Sequence, residues 1–467
     1  MTAAALSAAM LTAAAVGVLA FVLMTRSVAA ENLPQEVRML TLEEALALAR
    51  ESNPAYRQAR NALSLNEAER KATLFDQVLP KPQLNLFQTQ FTGNLTRVAV
   101  DNFGNPIERP TTEWNYFSQT NQSLDLTWRV QGASIFNALS RQKLDNRDRD
   151  LAEREALSAT EIAVRRAYMN ALKERSLLRA EEQLLEARSL DREVADRLFT
   201  LALRTRVDVL NAELAEDQQE LAMRRQAAAY ARAKLALRTA MGAEDLEKFE
   251  LAEEALPVFD PSGLDADALV RTAMERNPRV RRAGVAADVA GVNLKSAKQA
   301  WWPTVFMNFS VARRAQDLQD RALFDVSFNE DLDQRFYLGL QIPMFNNYFQ
   351  NRVAIRRSAV ELDNAREAER QLRLEIRESV QGLLLELGHQ YESLRLRERA
   401  GEIAAEALEL AREEYRLGSR SFEDLRASFV QEADARREVI QARHAFVDAL
   451  LSLEEAVGAR VRPRQPR

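Results

Sequence analysis

The sequence predicts a mostly α-helical protein with a small β part, built as an internally duplicated helix–strand–strand–helix unit. Three observations carry this expectation. A set of motifs recurs in order at an offset of roughly 220 residues. Each half holds two short segments that alternate apolar and polar residues. Each half also holds stretches of some 60 residues almost free of proline and glycine.

The first 30 residues stand apart from the rest. Ala3 to Met24 is apolar and rich in small residues, and Ser27-Val28-Ala29-Ala30 precedes Glu31, as in a secretory signal peptide ending near Ala30. No Lys or Arg precedes the run, and it approaches the ~20 residues of a membrane span, so an uncleaved anchor is the alternative reading. No apolar run of that length recurs beyond residue 30.

The first repeat is expected over residues 31–255 and the second over 264–460, joined by the proline-bearing connector 256–263 and followed by a tail, 461–467. Leu40-Thr41-Leu42-Glu43-Glu44-Ala45-Leu46 leading to Asn53-Pro54 is echoed by Leu264 through Val270 to Asn277-Pro278, and Met241-Gly242 by Val457-Gly458. Thr41 and Glu44 form a capping-box pattern that starts the first helix. The two Asn-Pro pairs mark helix ends or kinks, since the residue before proline disfavours the α region.

Strands are expected at about 82–95 and 114–131, and again at about 303–313 and 334–345. In the second of these Leu124, Leu126, Trp128 and Val130 point one way and Ser123, Asp125, Thr127 and Arg129 the other. Phe336, Leu338, Leu340 and Ile342 repeat the pattern. All four tryptophans, Trp114, Trp128, Trp301 and Trp302, fall in or beside strand segments, where a lipid-facing barrel places interfacial aromatics. A soluble sheet covering an ordinary core has the same alternation. The intervening stretches Thr96 to Trp114 and Arg313 to Gln334 are polar and read as long loops.

Long helices are expected at about 138–199, 207–241, 350–417 and 422–457. Ile376, Val380, Leu383, Leu387, Tyr391 and Leu394 alternate steps of four and three along one stripe. Most of the charges on the other faces, such as Arg165, Arg166, Glu181 and Glu182, read as solvated surface.

Composition narrows the function classes. The 467 residues carry a net charge of 64 − 69 = −5 with no basic stripe, which argues against nucleic acid. Without cysteine there is no disulfide, thiolate metal site, cysteine nucleophile or lipidated N-terminal cysteine. The two histidines, His389 and His444, read as surface or packing residues. Walker, His-Glu-x-x-His and Gly-x-Ser-x-Gly motifs are missing from the sequence, so no enzyme, metal or cofactor is expected.

Taken together, the twofold repeat, the Asn-Pro after the first helix, the proline opening the first strand and one turn sequence resemble TolC-type outer-membrane efflux proteins over about Leu40 to Gly458. The turn reads Tyr415-Arg416-Leu417-Gly418-Ser419-Arg420-Ser421-Phe422-Glu423-Asp424-Leu425 in the second half, with Phe199, Ala202, Asp208 and Leu210 at matching places in the first. The resemblance implies a homotrimer: a twelve-stranded barrel in outer-membrane lipid, continued by a periplasmic α-helical barrel. It further implies a periplasmic adaptor and an inner-membrane transporter as partners, in a tripartite pump or a type I secretion system. It marks Tyr415, Arg420, Asp424 and Asp208 as periplasmic-gate candidates and Gly418 as the helix-hairpin turn residue. Ala427, or Arg426 if one residue is deleted, stands where the family has a second aspartate, and Ala202 where it has glycine. Helix capping is the alternative role for Asp208 and Asp424. A periplasmic or membrane-anchored coiled-coil adaptor or scaffold is the alternative function.

Overall fold

In the computed structural model the described residues are 38–100, 103–244, 249–316, 332–343, 347–417 and 419–461. The expected signal peptide, residues 462–467 of the tail, and Gly418 lie outside them.

Helices dominate, as expected. The chain opens with β1 (Arg38–Leu40), α1 (Leu42–Ser52), α2 (Pro54–Leu63) and α3 (Leu65–Val78), then β2 (Lys81–Val100) and β3 (Pro106–Gln131). Two long helices follow, α4 (Ser134–Thr200) and α5 (Arg206–Met241), and then β4 (Phe249–Leu251). The second half holds α6 (Ala266–Arg276), α7 (Pro278–Lys298), β5 (Thr304–Gln316), β6 (Leu332–Gln341), α8 (Tyr348–Arg416) and α9 (Phe422–Val457). At ~1.5 Å per residue, the 67 residues of α4 run about 100 Å. None of the described helices is long and apolar enough to cross a membrane.

The two hairpins do not stand apart: they merge into one antiparallel sheet of order β2-β3-β5-β6. Its register places the apolar residues in rows, Leu126–Phe309–Phe336, Trp128–Met307–Leu338 and Val130–Val305–Leu340. The other face carries Asp125–Ser310–Arg335 and Thr127–Asn308–Tyr337. On that face Asn85 Nδ2 donates to Ser123 Oγ and Asp125 Oδ2, both at 3.1 Å. The apolar rows remain open: Phe336 and Leu338 are each 64% exposed. Of the stretch Thr96 to Trp114, expected as a loop, most is ladder, because β2 runs on to Val100 and β3 begins at Pro106. The β-branched residues there, Thr96, Val98, Thr111 and Thr112, suit a pleated ribbon.

The helices form a single layer. Next to the sheet the order is α3–α4–α7–α8, and in the distal half it is α5–α4–α9–α8. Elements of the first half therefore supply one edge, α8 the other. Midway lies the main core, where Val164, Tyr168, Leu237, Val380, Leu387 and Phe446 are fully or almost fully buried. It is flanked by a parallel β1–β4 ladder that the sequence did not signal. The Tyr168 hydroxyl donates to the Leu40 carbonyl at 3.0 Å. Charges expected in solvent instead close the α4–α9 seam: Arg165 is 9% and Glu181 5% exposed. Arg165 pairs with Glu454 at 3.2 Å and Arg437 with Glu181 at 2.6 Å. The alanine-rich seam brings the helices close enough for long side chains to reach across it.

Each Asn-Pro pair works as a clasp. Asn53 Oδ1 accepts from Ala55 N–H at 2.9 Å, capping α2, while its Nδ2 donates to the Ala240 carbonyl at 2.8 Å. Asn277 repeats this with Arg279 N–H and the Ala456 carbonyl, both at 2.9 Å. The helix ends so captured close on Gly242 (φ +69°) and Gly458 (φ +71°), where only glycine is unstrained. A Cβ on Gly242 would lie 2.7 Å from the Ser52 carbonyl. Asn277→Ala loses both bonds and is expected to cost about 1–3 kcal/mol, whereas Asn277→Asp keeps the cap and costs less. Melting of the purified variants checks the order.

Candidate functional site: the helical tip

At the end far from the sheet, α4 turns into α5 and α8 into α9 through similar turns. In the first, Leu203 N–H donates to the Leu198 carbonyl at 2.9 Å, and in the second Ser419 N–H donates to the Glu414 carbonyl at 3.0 Å. Both are the long closing bond of a Schellman turn. Ala202 takes the left-handed conformation (φ 60°), which favours glycine.

Both aspartates proposed for the gate are built into helix starts. Asp208 accepts from Thr205 N–H at 3.0 Å while Thr205 Oγ1 accepts from Asp208 N–H at 3.3 Å, a capping box. Ser421 caps α9 by accepting from Asp424 N–H at 3.2 Å, and its hydroxyl donates to Asp424 Oδ2 at 2.6 Å. Both carboxylates sit at the positive end of a helix, where they are favoured.

Tyr415 is 4% exposed, packed in a small cluster with Ala195, Ala212, Leu408, Leu425 and Phe429. This cluster draws on all four long helices and joins the two hairpins. Burial raises the Tyr415 phenol above its ordinary range, against the pull of Arg204. Arg420 pairs with Glu414 at 3.3 Å and not with Asp424. Arg204 provides the link between the hairpins. Its guanidinium lies 4.5 Å from the Tyr415 ring centroid, and Nη2 donates to the carbonyls of Tyr415 at 3.3 Å and Arg420 at 3.2 Å. The sequence did not single out Arg204, although it precedes Asp208 by the same spacing with which Arg420 precedes Asp424.

Behind Tyr415 lies a second charged knot. Phe429 is held between Arg188 of α4, 4.3 Å from its centroid, and Arg412 of α8, at 4.8 Å. Asp191 faces Arg188, Arg412 and Arg416, and its buried Oδ2 accepts no hydrogen bond among the described residues. Burial outweighs those cations and pushes the carboxyl up to about 6.

The tryptophans occupy two levels. At the sheet–helix junction Trp128 Nε1 donates to the Val78 carbonyl at 2.9 Å, Trp301 meets Tyr348 edge-on at 5.3 Å, and Trp302 is 54% exposed. Trp114 stacks on Tyr116 at 6.0 Å on the β2–β3 ribbon. It stands 119 − 114 = 5 residues past Gln119, the last β3 residue paired to β5, which is about 17 Å along the strand. His444 is buried, and its desolvation lowers its pKa to about 4. No group of three metal-ligating side chains occurs among the described residues.

The same layer of paired helical hairpins rooted in a sheet is found in solved structures of outer membrane channels. Residues 269–459 match the family model described as outer membrane efflux protein. The family resemblance read from the sequence is thereby borne out over those residues, which lie in the second repeat. Among solved structures, a membrane protein from Pseudomonas aeruginosa is similar at TM-score 0.71 and 17% identity, covering 90% of each chain. The outer membrane channel CmeC of Campylobacter jejuni gives TM-score 0.70 at 12% identity, covering 91% of this chain and 87% of that one. The MtrE outer membrane channel of Neisseria gonorrhoeae gives 0.67 at 16%, covering 90% and 89%. No curated protein sequence matches significantly.

Asp191 makes stability pH-dependent. Its folded pKa of about 6 lies above the ~3.9 of a free aspartate. The stabilisation is therefore complete below that lower value and disappears as pH rises through about 6. The melting temperature of the wild type is expected to fall from about pH 5 to about pH 7, and Asp191→Asn to flatten that slope.

Proposed function

We propose that this chain is one subunit of an outer-membrane exit duct that extends into the periplasm and passively conducts cargo. The carrying observation is that the sheet exposes an apolar face and ends in two unpaired strands, β2 and β6. Four strands cannot close a membrane barrel, and an unpaired edge in lipid costs several kcal/mol per orphaned backbone group. Pairing β6 of one copy with β2 of the next removes both edges. Three copies give the twelve strands that the family resemblance implies.

The helical layer supports the same joint. Along α8, Leu374, Leu385, Leu396, Ile403, Leu410 and Leu417 are exposed at steps of eleven and seven residues. On α5, Val207, Leu214, Leu221 and Leu235 are exposed at steps of seven or twice seven. Both spacings keep a stripe on one side of a helix, and α5 and α8 are the two edges of the layer. An isolated coiled-coil adaptor would not explain why sheet and helices are left open at the same two edges.

In this reading the tip is the periplasmic gate. Arg204 stacks on Tyr415 within one copy. Both positions have counterparts 216 residues apart, Arg204 with Arg420 and Phe199 with Tyr415, since 420 − 204 = 415 − 199. Ring closure would therefore bring Arg420 onto Phe199 of a neighbouring copy. A periplasmic adaptor and an inner-membrane transporter complete the pump, or a type I secretion system uses the same exit.

Two experiments test this. Cell fractionation followed by unheated gel electrophoresis should find a heat-sensitive trimer in the outer membrane; a monomer in soluble or inner-membrane fractions would favour the adaptor reading. In planar bilayers Asp424→Ala should raise single-channel conductance, and unchanged conductance with intact trimers reduces Asp424 to a helix cap.

A further inference from the structure

A large concavity, about 1410 Å³, opens on the sheet-side half of the helical layer. It touches all four helices there, from Arg70 on α3 across α4 and α7 to Leu362 on α8. In the proposed duct, a hollow reaching across a row of four helices would form part of the lumen wall where the row curves toward it.

Its charge runs against the rest of the chain. The net charge overall is −5. The hollow is lined by seven cationic and three acidic side chains, a balance of 7 − 3 = +4. Lys143 and Arg147 come from α4, and Arg281, Lys295 and Lys298 from α7; Arg70 and Arg366 stand at the two rims. None of these seven forms an ion pair among the described residues, whereas Arg141, Arg149 and Arg282 on the same helices do. Of the three acids, Glu369 is engaged by Arg373 at 2.7 Å. Cations left unpaired in a hollow with low-dielectric walls focus a positive potential and concentrate anions.

We infer that this basin is an anion-attracting section of the duct wall, and that the cargo class is solutes of net negative charge. The inference rests on the duct reading. Once per copy, a closed tube would present the same group, forming a basic girdle between the membrane and the acidic gate candidates. No covalent or specific binding step is needed; the girdle acts by raising local anion concentration.

The test uses the full-length protein in planar bilayers, with reversal potentials measured under a KCl gradient. The fourfold variant Lys143→Gln, Arg147→Gln, Arg281→Gln and Lys295→Gln should lower the chloride-to-potassium permeability ratio by at least about twofold. That fall should vanish near ~1 M salt, where the screening length is about 3 Å. Lys295→Gln with Lys298→Gln, both on exposed side chains, gives a smaller fall in the same direction should the fourfold variant not assemble. A permeability ratio unchanged in both variants, with channels of normal conductance, overturns the inference. Wild-type protein that forms no channels at all would instead overturn the duct reading and take this inference down with it.

Discussion

A β-strand cannot leave its backbone donors and acceptors unpaired against hydrocarbon, and the proposed duct is arranged around that constraint. The sheet has an apolar face but only four strands, so β2 and β6 each keep an open edge. Within one copy nothing in the described residues covers either edge. The open sides of the helical layer, α5 with α3 on one flank and α8 on the other, fall in line with those two strand edges. In the proposed duct a second copy would satisfy sheet and helices with one motion.

The helical layer has the opposite problem. Helices about 100 Å long cannot share one compact core. Its stability is instead concentrated at two levels, the midway cluster around Tyr168 and Phe446 and the tip cluster around Tyr415 and Phe429. Between them the seams rely on small residues and on ion pairs such as Arg437 with Glu181. The Asn53 and Asn277 clasps pin the short helices to the ends of α5 and α9 at the midway level.

Asp208 and Asp424 use their carboxylates within their own helix starts, and the contact between hairpins is made by Arg204 on Tyr415. The chemistry that joins hairpins is therefore a guanidinium on an aromatic face with carbonyls at its rim, worth more when desolvated than on an open surface. Asp191 adds a titratable carboxyl directly behind that contact.

Much of this was legible in the sequence. Period-two alternation fixed which strand faces are apolar, and the register kept Leu126, Phe309 and Phe336 in one row. The stripe Val380, Leu387 and Leu394 proved to be core, and the Asn-Pro and Gly signals marked true helix ends. These features depend on local backbone geometry and on spacing along one element, so neighbouring residues suffice to specify them. What pairs with what was decided only in three dimensions. The β3–β5 ladder, the β1–β4 ladder, the buried Arg165 and Glu181, and Arg204 on Tyr415 all join residues more than a hundred positions apart or on separate elements. A charged side chain looks the same in sequence whether it meets water or a partner across a seam, and only the packing of helices tells the two apart.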